Sequence, residues 1–130
     1  MTLYHFCAAH MKDDIMRCGL TLGQFPFLSG GEYQLITRCQ WLTAEPDSRE
    51  QSWATQNMID YSRTAYRLTI NIPDNYHKKI VLATDFVKDM SEESAQIVTG
   101  WPGSDKWYIY RGIIPANWIV GCKKTEVGHD

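Results

Sequence analysis

The stretch LYHFCAAHMKDDIMRCGLTLG, residues 3–23, decides the fold. Residues 3–7 are apolar and aromatic and too few for a helix, which reads as a short strand with a histidine at its middle. From about His10 to Cys18 the period changes: Met11, Ile15 and Cys18 share one helical face, while Lys12, Asp13, Asp14 and Arg17 lie elsewhere. Gly19 falls where a left-handed cap would end that helix, with Leu20 folding back over its last turn. A strand that runs straight into one helix, within 130 residues, is the start of a single mixed α and β domain spanning residues 1–130.

Downstream, TLGQFPFLSGGE (residues 21–32) is rich in turn formers and reads as a loop, with Gly30 and Gly31 at its end. Residues from Tyr33 to about Ala44 are β-prone up to the break at Pro46. Residues 52–62 fit a short helix or a structured loop equally well. The cleanest strand is RTAYRLTINI, residues 63–72. There Ala65, Arg67, Thr69 and Asn71 point one way and Tyr66, Leu68, Ile70 and Ile72 the other, until Pro73 stops it. The run IVLATDF (80–86) suits a strand or a buried helix, and SEESAQIV (91–98) has the polar start of a helix. GWPGSDK is a turn, WYIYRG a strand, IIPANW a bend and IVGCK a closing strand.

Composition narrows the function classes. With 13 Lys and Arg against 15 Asp and Glu, the net charge of −2 does not favour a nucleic-acid partner, so any polyanion would have to meet a local patch. No apolar run approaches the roughly 20 residues of a membrane-spanning helix, so no membrane partner is expected. Cys7, Cys18, Cys39 and Cys122 show no CxxC spacing and no secretory leader is read ahead of them, so the expected compartment is the reducing cytoplasm. His5, His10 and His77 lack the spacing of metal ligands, and no GxSxG, GxGxxG or GxxxxGK[ST] motif is present.

Five Trp and seven Tyr are many for so small a chain; these rings suit a β-rich core and a ligand cleft alike. His5 suits two roles as well, a core imidazole satisfied by a backbone carbonyl or a neutral ligand contact. Arg63 and Arg67 are a bidentate phosphate grip or surface partners of Glu45, Asp47 and Asp60.

Taken in order, LYHF, the helix ending in CGL, WLTAEPD with QSW behind it, AYRLTINIP and WYIYRGIIPANWI resemble the ADP-ribosyltransferase superfamily. The likeness is to its His/Tyr/Glu branch, which includes RNA 2′-phosphotransferases and nucleic-acid-modifying toxin relatives. The resemblance implies a split β-sheet α+β fold with short flanking helices, and NAD as cofactor. It implies that His5 hydrogen-bonds the NAD ribose beside the nicotinamide. Thr43 matches the small hydroxyl residue of the second motif strand, Trp41 or Trp53 supplies a stacking face, and Arg63 or Arg67 approaches the pyrophosphate. The implied activity is transfer of ADP-ribose to a macromolecular acceptor, protein or nucleic acid, as in a phage or mobile-element effector. One departure stands out. Where many relatives carry a glutamate shortly before an RGxIP-type bend, SDKWYIYRGIIP has Trp107 at its centre, and Asp105 is the nearest carboxylate. The alternative is an inactive NAD- or nucleotide-binding inhibitor or interaction protein on the same fold.

Overall fold

The computed structural model describes residues 1–29, 32–46, 65–88 and 104–125. Its chain order is β1 (Thr2–Cys7), α1 (Ala9–Cys18), β2 (Gln24–Ser29), β3 (Glu32–Thr37), β4 (Cys39–Thr43), β5 (Tyr66–Asn71), a 3₁₀ turn (Asp74–Lys79), β6 (Ile80–Leu82) and α2 (Ala83–Lys88). A second 3₁₀ turn (Ser104–Lys106), β7 (Trp107–Arg111), a third (Ala116–Trp118) and β8 (Ile119–Lys124) follow.

Among the described residues six strands form one sheet in the order β6-β7-β4-β1-β5-β8, and every pairing in it is antiparallel. The fold is therefore α+β with a mainly antiparallel sheet and few helices. The sheet has a weak seam. β1 matches β5 over all six of its residues, from Thr2↔Asn71 to Cys7↔Tyr66, but it meets β4 at one pair, Tyr4↔Thr43. Two three-stranded halves, β6-β7-β4 and β1-β5-β8, thus join at a single point.

Registers assign each side chain to a face, because alternate residues of a strand point oppositely. Leu3, His5, Cys7, Gln40, Leu42, Tyr66, Leu68, Ile70, Tyr108 and Tyr110 lie on face one. Tyr4, Phe6, Cys39, Trp41, Thr43, Arg67, Trp107, Ile109 and Arg111 lie on face two. Each face carries its own core. On face one, Leu3, Cys7, Leu42, Leu68, Ile70 and Tyr110 pack with Ile15 of α1 and with Leu20, Ile114 and Ile119. On face two, Cys39, Trp107 and Ile109 pack under Phe25 of the β2–β3 hairpin and Ala83 and Val87 of α2.

Several expectations need correction. Residues 24–29 are a strand, not loop, paired with β3 from Gln24↔Thr37 to Ser29↔Glu32. Pro26 is tolerated because a two-stranded hairpin consists of edges, where a missing N–H breaks no central ladder. The run from Tyr33 to Ala44 is two strands, parted at Arg38, whose φ of 56° turns the chain out of the hairpin into the main sheet. IVLATDF divides, its first three residues forming β6 and the remainder starting α2. Helix α1 buries only Ile15 of its proposed apolar face; Met11 is 41% exposed and Cys18 is exposed. The helix thus rests on the sheet through one side chain, helped by the Lys12 ammonium 5.1 Å from the Tyr66 ring centre. The expected helix or loop at 52–62 and the helix at 91–98 lie outside the described residues.

Gly19 does more than end a helix. Its φ of 85° and ψ of −175° belong to extended backbone of the wrong hand for L-residues, and its N–H donates to the Ile15 carbonyl at 2.7 Å. A Cβ there would stand 2.1 Å from the Ile114 carbonyl oxygen. Leu20 and Ile114 then exchange backbone hydrogen bonds at 2.9 and 3.0 Å, which fastens the helix exit to the bend after β7. Gln40, 2% exposed, completes the clamp: its Oε1 accepts from the Gly23 N–H and its Nε2 donates to the Gly112 carbonyl, both at 3.0 Å. A buried amide with both ends satisfied is stabilising, and unsatisfied it would be costly.

Candidate functional site around His5

His5 sits one residue past the only β1–β4 pair, where the ladder between the two halves stops. Its Nδ1 lies 2.8 Å from the Trp41 carbonyl. An oxygen that faces β1 without a ladder partner needs a donor, and the imidazole supplies one. Because a carbonyl only accepts, Nδ1 carries the proton, and in the neutral ring Nε2 is left as an acceptor. Among the described residues no group bonds Nε2; the residue as a whole is partly exposed, while its ring is desolvated.

Desolvation lowers the His5 pKa below the ordinary 6.5, with the Trp41 hydrogen bond opposing it. The ring is thus neutral at pH 7. The unfolded chain binds a proton at higher pH than the folded one, so folding stability falls as pH drops below about 6.5. Thermal melts between pH 7 and 5.5 should show this loss in the native chain and a smaller one in His5→Gln. Equal slopes in the two proteins would show that His5 is not desolvated in the folded state.

The other candidates divide by face. Trp41, Thr43 and Arg67 share face two, opposite the His5 ring. Tyr4 links two of them: it pairs with Thr43, and its ring centre lies 5.3 Å from the Arg67 guanidinium carbon. Arg67 also donates from Nη1 to the Pro46 carbonyl at 3.0 Å. Thr43 is buried and its hydroxyl accepts the Glu45 N–H at 3.0 Å, closing the turn after β4. Trp41 stacks on Phe25 with ring centres 5.1 Å apart and planes 8° from parallel, meets Trp107 edge-on at 5.8 Å, and donates from Nε1 to the Gln24 carbonyl at 2.8 Å.

Asp105 is exposed in the turn before β7, with β4 between its strand and β1. Next to it Lys106 donates to the Glu45 carboxylate at 3.1 Å. Trp53 and Arg63 lie outside the described residues. Sequence reasoning missed Gln40, one of several polar residues in a β-prone run, with nothing to single it out. The backbone carbonyl weighed as a partner for His5 is that of Trp41; which carbonyl it would be, no side-chain pattern reports.

All four cysteines are free; Cys7 and Cys39 are buried, and burial pushes the Cys7 thiol up to about 11. Among the described residues no helix is long and apolar enough to cross a membrane. No protein-family model, curated protein or solved structure matches the chain.

Proposed function

We infer that the chain binds a ribonucleotide, with NAD as the first candidate, against His5, and uses it as an ADP-ribose donor. The observation that carries the binding step is the fixed tautomer of a half-buried, neutral histidine at the seam of the sheet. Its Nδ1–H is committed to the Trp41 carbonyl, and its Nε2 lone pair remains for a ligand hydroxyl. A ribose hydroxyl is such a donor, and one that is oriented before reaction lowers the entropic part of the barrier. Cleavage of a nicotinamide–ribose bond builds positive charge on the sugar, which a nearby carboxylate would stabilise. The transfer step rests on the ordered resemblance of the segments, with Asp105 as the proposed acid.

The placement of Asp105, exposed and two strands from β1, favours a second reading, in which the site holds the nucleotide without turning it over.

Calorimetry with NAD and incubation of the chain with NAD labelled in its adenylate half plus a cell lysate decide among these. The expected result is NAD binding that weakens at least tenfold in His5→Ala, with label transfer lost in both His5→Ala and Asp105→Asn. Binding without transfer or nicotinamide release supports the second reading. No NAD affinity in the folded native chain rules out both.

A further inference from the structure

The net charge of the chain conceals a local concentration of cations next to one exposed aromatic ring, Tyr76. At the end of the sheet where β4 and β6 begin and β7 ends, the Gly112 N–H donates to the Arg38 carbonyl at 2.7 Å, and Ile80 pairs with Tyr110. Arg38, Lys78 and Lys79 therefore stand at one corner, all exposed; Arg111, also exposed, turns to face two, where its guanidinium carbon lies 5.0 Å from the Phe86 ring centre. Among the described residues no carboxylate forms an ion pair with any of them; the acids that pair do so with Lys12, Arg17, His77 and Lys106.

The same corner carries an aromatic ridge. Tyr76, 38% exposed, has its ring centre 4.8 Å from that of Trp118, and Trp118 meets Tyr110 edge-on at 5.7 Å. The Lys79 ammonium lies 5.9 Å from the Tyr110 ring centre, and 3.4 Å from where a Cβ on Gly112 would stand. Tyr76 is the exposed end of this row: Trp118 is partly buried and Tyr110, 1% exposed, belongs to the first core, so the free ring face at the corner is that of Tyr76.

We propose that this corner is a docking surface for single-stranded nucleic acid, in which Tyr76 stacks a base and Lys78, Lys79 and Arg38 hold the adjoining phosphates. Single strands are bound without sequence preference by this pairing of a π-face with a basic track, since every base offers a ring to stack. Duplex is not the fitting partner, because its bases are already stacked and leave Tyr76 no ring to meet. The surface is built at the ends of β6 and β7, with β4 between them and the strand that carries His5, and it uses none of the His5 contacts, so the proposal does not depend on NAD binding.

The test is fluorescence anisotropy with a labelled 12-nucleotide oligo-dT and oligo-U at two salt concentrations. Tyr76→Ala should weaken binding about tenfold while Tyr76→Phe retains it, and Lys78→Gln with Lys79→Gln should lower affinity and flatten the salt dependence. Lys123→Gln, an exposed cation on β8 at the opposite edge of the sheet, should bind like the native chain. Absence of binding at low salt overturns the proposal. So does equal loss in Tyr76→Phe and Tyr76→Ala, or binding that vesicles with anionic headgroups or a duplex of equal length match in strength.

Discussion

Replacing Gly19 with alanine is expected to destabilise the protein by roughly 3 kcal/mol or more, the cost of forcing an L-residue into a conformation nearly reserved for glycine and against a fixed carbonyl. The backbone angles alone disfavour the change, and the methyl group would overlap the Ile114 oxygen at 2.1 Å. That oxygen has nowhere to retreat, because it accepts the Leu20 N–H at 2.9 Å. Relief requires the helix exit to peel from the bend after β7, taking Leu20 out of the first core. Chemical denaturation of Gly19→Ala checks this; a midpoint within error of the native one would mean that the exit tolerates a side chain and that the clamp is loose.

The second large effect is expected at Trp41. Its truncation to alanine should cost about 2–3 kcal/mol, below the range for a fully buried large ring because Trp41 is partly exposed. The ring is packed flat on Phe25 and against the edge of Trp107, and its Nε1–H holds the Gln24 carbonyl at the start of the hairpin. Trp41→Phe keeps the stack and loses the hydrogen bond, for about 1–2 kcal/mol. The pair of variants separates packing from ligand contact. If Trp41→Phe retains NAD affinity while both variants lose stability in this order, the ring serves the second core. A Trp41→Ala protein as stable as the native chain, with NAD affinity abolished, would return Trp41 to the ligand.

Part of this architecture was legible in the amino-acid order. Residues 3–7, 63–72 and 107–112 read as strands because apolar and aromatic side chains alternate or cluster between clear stops; the structure has strands at Thr2–Cys7, Tyr66–Asn71 and Trp107–Arg111, and the faces assigned to Arg67, Thr69 and Asn71 agree with the pairing. The hairpin strand at 24–29 was hidden by Pro26 and the neighbouring glycines, whose turn preference is overridden when Phe25 inserts fully buried into the second core. The break at Arg38 has no local marker, since arginine is not a residue that announces positive φ. IVLATDF is too short for either period to declare itself, and it turned out to hold both elements.

The candidate site was legible as a set of residues but not as an arrangement. Whether His5 and Thr43 share a face depends on the register of β1 against β4, and a shift of one residue reverses the answer. The pair Tyr4↔Thr43 sends Thr43 and Trp41 to one side and His5 to the other. Nothing in LYHF or WLTA encodes that choice; it is made by the turns and cores that bring two distant segments together.

The seam between β1 and β4 has a mechanical consequence. Elsewhere in the sheet a ladder of backbone bonds locks neighbouring strands in step, but here one residue pair, the His5 imidazole and, beyond the end of β4, the Arg67 bond to the Pro46 carbonyl span the two halves, while apolar packing on face one keeps them together. Grease resists separation but not sliding. The His5 ring is therefore a tooth in a two-part gear: while it grips the Trp41 oxygen, any molecule seated against its far nitrogen feels the relative position of both halves at once.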